Sequence, residues 1–120
     1  MMLTESDARE FAAHWIAAWN ARDLEAILSH YSSQVKLTSP VAAKRFNDPA
    51  GMVVGIEALR NYFKLGLETF PQLRFELVDV MWGISSVVLY YRNHIGTMTG
   101  EFMELDSSGK VIRVVANYGS

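Results

Sequence analysis

The sequence predicts an α+β domain in which a curved antiparallel β-sheet wraps around three helices from the N-terminal half. Three observations carry this reading. Apolar residues recur at helical spacing over residues 5–31 and again over 56–67. From Leu73 onward the chain divides into four strand-like runs separated by short turn signals. Helices first and strands afterwards is the order of an α+β layer packing, not of alternating βαβ units.

Thr4 and Asp7 resemble a capping box, and Glu5 and Asp7 suit the positive end of a helix running to about residue 20. Phe11, Trp15 and Trp19 form one stripe of it, with small alanines beside the two indoles. Asn20 interrupts the pattern. Asp23 can cap a second short helix, over about residues 23 to 30, carrying Leu24, Ile27, Leu28 and Tyr31. This helical hairpin is expected to lie across the sheet and close one side of a pocket. Gln34–Ser39 alternates as a strand, with Val35, Leu37 and Ser39 on one face, and Pro40 ends it. Residues 40–54 read as a long irregular connection, either a functional lid or a surface excursion. A third helix begins at Gly55, with Ile56, Leu59 and Leu67 at helical spacing.

The strands are expected at Leu73–Trp82, Val87–His94, Thr97–Asp106 and Val111–Tyr118. In the first, Leu73, Phe75, Leu77, Asp79 and Met81 alternate onto one face. Asp106-Ser107-Ser108-Gly109-Lys110 is a strong hairpin turn. Several strands are apolar on both faces. One face meets the helices, and the other also needs cover, so a homodimer through the sheet is expected.

With 120 residues the chain fits one domain over 1–120. It has no cysteine, which excludes disulfides, thiolate metal sites and a cysteine nucleophile. A net charge of −2 with scattered Lys and Arg offers no basic face for nucleic acid. No apolar run approaches a membrane span, and the polar start MMLTESDARE is unlike a signal peptide, so a cytoplasmic protein is expected. His14, His30 and His94 form neither HxxxH nor HExxH. Phosphate loops and GxSxG are absent as well. Neither a metal nor another cofactor is expected.

The segment Asn20-Ala21-Arg22-Asp23-Leu24-Glu25-Ala26-Ile27, the strand ending in Ser39-Pro40, the helix start Gly55-Ile56-Glu57-Ala58-Leu59-Arg60 and the strand Gly109-Lys110-Val111-Ile112-Arg113 resemble the SnoaL-like branch of the nuclear transport factor 2-like superfamily. The resemblance covers nearly the whole chain. It implies a cone with a ligand cavity at the open end, often dimeric, on which isomerases, dehydratases, hydrolases and cyclases are all built. Against the ketosteroid isomerases of this group, Trp15 stands where the helix-one tyrosine belongs, and Ser39 stands where the basic aspartate precedes the proline. Glu101 falls where those enzymes keep a protonated acid. Ordinary ketosteroid isomerisation is therefore not expected.

The resemblance also brings Trp15, Trp19, Tyr31, Ser39, Tyr62 and Tyr118 to the cavity or its rim, with Val114 on the same strand face as Tyr118. Aromatic rings with a polar tip suit a small, largely apolar organic ligand. Glu101, among apolar neighbours, is the leading acid–base candidate. If the preceding turn centres on Ile95-Gly96, Tyr90 and Arg92 share its face, and Arg92 becomes its charge partner. A slip of one residue presents Tyr91 and Asn93 instead. Asp48 is a reserve carboxylate in a setting that fits a turn equally well.

Overall fold

The computed structural model describes residues 2–120. Along the chain run α1 (Glu5–Asn20), α2 (Leu24–Leu28), β1 (Tyr31–Thr38), α3 (Pro40–Phe46), β2 (Met52–Val54), α4 (Ile56–Thr69), β3 (Glu76–Trp82), β4 (Ser86–Arg92), β5 (Met98–Leu105) and β6 (Val111–Tyr118). The strands form one sheet in the order β2-β1-β6-β5-β4-β3. It curves around the helices, with α1 packed on β3 and α4 on β1. The α+β cone is as expected, with two differences. β1 and β6 run parallel, so the sheet is mixed. There are also four helices among the described residues, not three.

Local chemistry explains each helix. Both bonds of the Thr4–Asp7 capping box are present at the start of α1. At its end, the Asn20 amide grips the backbone of Phe75. Nδ2 donates to the Phe75 carbonyl at 2.9 Å, and Oδ1 accepts from its N–H at 2.8 Å. The residue that breaks the apolar stripe thus pins α1 to the segment entering β3. Arg22, with φ 57°, donates to the carbonyls of Leu67 and Phe70 at the end of α4.

The expected loop over 40–54 is instead a helix followed by a strand. Ser39 Oγ accepts from the Val41 N–H at 3.1 Å, Pro40 sits in the first turn, and Asn47 closes α3 in the left-handed conformation. β2 then pairs antiparallel with β1. Gly51 makes this possible. Its φ is +60°, and a Cβ there would lie 2.6 Å from the Ser39 carbonyl oxygen. Asp48 is a turn residue, its Oδ1 accepting from the Ala50 N–H at 3.0 Å.

Two features of strand pairing differ from the reading of the sequence and bear on the site. A bulge between Leu77 and Asp79 inverts the second half of β3. Phe75 and Val80 are buried, while Asp79 and Met81 turn outward, contrary to the alternation read from sequence. In the β4–β5 hairpin the loop is three residues, not two. Gly96 donates to the Asn93 carbonyl and adopts φ +84°, and Asn93 N–H donates to the Thr97 carbonyl at 2.8 Å. This is a turn closed by a glycine in the left-handed region. The register is therefore Arg92 with Met98, Tyr91 with Thr99, and Leu89 with Glu101.

Candidate functional site

The concave face of the sheet and the helices that cross it enclose a cavity of about 580 Å³. Trp15 and Trp19 of α1, Tyr62 and Phe63 of α4, and Leu73 and Phe75 ahead of β3 supply most of its apolar wall. The mouth is framed by α3, the end of α4, the loop after β4 and the C-terminal end of β6.

The rings are packed on one another. Trp15 stacks on Phe75 at 5.9 Å with 13° between planes, and Tyr91 lies 4.6 Å from Phe75 and 5.4 Å from Trp15. Trp19 meets Phe63 edge to face at 4.8 Å. These geometries suit the ring quadrupoles and fix the wall as a rigid surface. The Trp15 indole N–H donates to the Tyr31 hydroxyl at 2.9 Å.

Among the described residues, Glu101 is the one carboxylate that is buried. β5 delivers it to the cavity beside Ala116 of β6. The Tyr91 hydroxyl donates to its Oε1 at 2.6 Å. Removal from water disfavours the charged form and raises the Glu101 pKa to about 7, against the smaller lowering effect of the Tyr91 hydrogen bond. Tyr91 itself is pushed well above its ordinary value by burial and by the neighbouring carboxyl, so it keeps its proton and remains a donor. Near neutral pH the pair therefore holds Glu101 poised between acid and base, the condition for proton transfer in either direction.

A second polar group lies at the Ser39 hydroxyl. The phenols of Tyr62 and Tyr118 approach it from α4 and β6, and its contact partly offsets the rise that burial imposes on both. Tyr118, pushed up to about 12, also feels the Glu101 carboxyl. The site thus has one acid–base pole and one hydroxyl pole, joined by apolar walls.

Of the residues singled out from sequence, Trp15, Trp19, Ser39, Tyr62, Glu101 and Tyr118 line this cavity. Tyr31 and Val114 do not. Both are buried in the core beneath it, Tyr31 against Phe63. Tyr90 and Arg92 are corrected outright. The three-residue hairpin loop places them on the outer face of the sheet, where Arg92 lies 3.8 Å from Glu76 and donates to the Gly96 carbonyl. Arg92 is therefore no partner of Glu101. Tyr91 takes that place, and Asn93 lines the cavity while tying down the turn through Thr97 and Thr99. Lys44, Arg45, Phe70 and Phe75 were missed as cavity residues. The first two lie in a segment read as loop, and the signal available was the Ser39-Pro40 helix start.

The chain matches the SnoaL-like domain over residues 12–116. A SnoaL-like protein of unknown function from Burkholderia thailandensis E264 is 32% identical, with 100% of each chain covered and a TM-score of 0.97. An NTF2-like protein of unknown function from Cytophaga hutchinsonii is 14% identical, covering 99% of this chain and 93% of that one, with a TM-score of 0.71. A candidate isomerase of the SnoaL-like family from Agrobacterium tumefaciens C58 is 16% identical, covering 96% and 99%, with a TM-score of 0.77. No curated protein matches the chain. No helix of the described residues is long and apolar enough to cross a membrane. A domain match across most of the chain, joined to a near-superimposable structure at this identity, makes the protein a member of the SnoaL-like family.

Proposed function

We propose that the protein binds a small, largely apolar organic molecule in the cone cavity. There it carries out cofactor-free proton-transfer chemistry with Glu101 as the acid–base residue. Isomerisation, dehydration (water leaving), hydration (water adding) and cyclisation (a ring bond forming) each include a proton transfer at a held carbon or oxygen, which is the part Glu101 would supply. The observation that carries the reading is the one buried carboxyl among the described residues, hydrogen-bonded by Tyr91 inside an aromatic cavity. The candidate isomerase named among the structural neighbours is in keeping with it. Tyr91 holds the carboxyl in place, and the Ser39, Tyr62 and Tyr118 hydroxyls offer hydrogen bonds to an oxygen on the ligand.

The test is a panel of small unsaturated ketones, epoxides and alcohols. Binding is followed by ligand-observed NMR and conversion by product NMR, for wild type and Glu101→Gln. The variant is expected to bind the same ligands and to convert them about 100-fold or more slowly. Equal conversion by both proteins removes Glu101 from the chemistry. Ligands that bind wild type but are never converted mark a non-catalytic binding module.

The outer face of the sheet supports a second element of the proposal, a homodimer. Met81, Val88, Phe102 and Val115 form one continuous cross-strand row on that face. Acidic and basic residues alternate at its border, with Arg113 bonded to Glu104 at 3.1 Å and Arg92 beside Glu76. A two-fold pairing of two copies lays apolar row on apolar row and sets acid against base. Light scattering at micromolar concentration is expected to give a dimer for wild type and a folded monomer for Phe102→Asp. A monomeric wild type rejects the pairing.

A further inference from the structure

The charges around the cavity are segregated. Its carboxyl, Glu101, is buried, whereas Lys44 and Arg45, which line the same cavity from α3, are exposed at the mouth. Neither forms an ion pair among the described residues. The hydrogen bond found for the Arg45 side chain goes to the Thr69 hydroxyl, at 3.4 Å. Its charge nevertheless reaches inward, because it eases ionisation of the Tyr62 phenol within the cavity. Two free cations over an apolar hollow favour an anion at the mouth. A ligand bound with its charge inward would bring that anion beside Glu101, where two carboxylates cannot both stay ionised.

We infer that the ligand is an apolar molecule carrying one carboxylate, seated with the carboxylate at the mouth between Lys44 and Arg45. Its body lies against Trp19, Phe63 and Phe75, and the end remote from the carboxylate faces Glu101. The orientation places the bond to be altered several carbons from the acid group. This inference rests on the cavity being the ligand site, and it narrows the substrate class from apolar molecules in general to apolar monocarboxylates.

The test compares 2-naphthoate with its uncharged isostere 2-naphthamide, by ligand-observed NMR on the full chain. Wild type is expected to hold the acid about tenfold more tightly than the amide at low salt, and the gap is expected to shrink at about 0.5 M salt as screening sets in. Lys44→Gln/Arg45→Gln is expected to abolish the preference and keep the amide affinity. Arg9→Gln/Lys64→Gln, which removes the same charge away from the cavity, is expected to preserve it. Equal binding of acid and amide by wild type, or a preference that survives in the Lys44/Arg45 variant, overturns the inference and leaves the cavity reading standing. Failure of both probes to bind at millimolar concentration overturns the cavity reading together with it.

Discussion

Glu101→Gln is expected to gain on wild type in stability as pH rises, by about 3 kcal/mol between about pH 4 and about pH 9. In the folded protein, burial raises the Glu101 pKa from the ordinary carboxylate range to about 7. Between those values the folded chain binds more protons than the unfolded one, so unfolding free energy falls with rising pH. The contribution is complete below the unfolded pKa and is lost as pH passes through the folded one. Glutamine has no such titration. Its extra amide donors cost the variant something at every pH, but that cost cancels when only the change with pH is read. Urea melts of both proteins across the range measure the difference. A difference that stays flat would mean that the carboxyl ionises freely, as it would in water. Tyr91→Phe supplies a control with a known sign. The Tyr91 hydrogen bond lowers the Glu101 pKa, so its removal should shift the wild-type inflection to higher pH.

The same side chains show how far the sequence could be read. The helical stripe of Trp15 and Trp19 was legible because its spacing is a property of the helix alone. Ser39, Tyr62 and Tyr118 came to the cavity through the family resemblance, and the cone then brought them together around one hydroxyl. Tyr91 could not be chosen over Tyr90, because that choice depends on whether a hairpin loop has two residues or three. The two glycine turns make the point. Asp106 and Asn93 play the same part, each receiving backbone N–H donors on its side-chain oxygen, with Gly109 at φ +81° and Gly96 at φ +84° closing the loops. The Asp-Ser-Ser-Gly-Lys turn announces itself through polar residues, whereas Asn-His-Ile-Gly-Thr hides the same geometry behind an isoleucine. One residue of register then moved Arg92 from the cavity to the outer surface. The bulge in β3 and the parallel pairing of β1 with β6 were out of reach for a related reason. Both are set by contacts between segments far apart in the chain, which no local pattern records.

Trp15→Ala is expected to cost about 3–5 kcal/mol, a large share of the stability of a domain this size. The indole is 1% exposed and is held on three sides, by Phe75, Tyr91 and Trp19. Its removal opens a void beside rings that still pack on one another, Trp19 on Phe63 and Phe75, and Phe75 on Tyr91. It also strands the Tyr31 hydroxyl, whose hydrogen-bond partner is the Trp15 N–H. Tyr31 is buried, and leaving its hydroxyl unpaired adds a desolvation cost to the lost packing. Trp15→Phe separates the two effects. It keeps an aromatic wall against Phe75 and Tyr91 but gives up the donor, so its cost should fall well below that of alanine. Urea melts at one pH measure both variants. If alanine costs less than about 1 kcal/mol, the ring cluster is not the rigid wall described here, and Tyr91 loses the surface that aims its hydroxyl at Glu101. The stability of Trp15 and the chemistry of Glu101 are therefore linked through one side chain. A Trp15→Phe protein that folds but shows a shifted Glu101 titration would be the signature of that link.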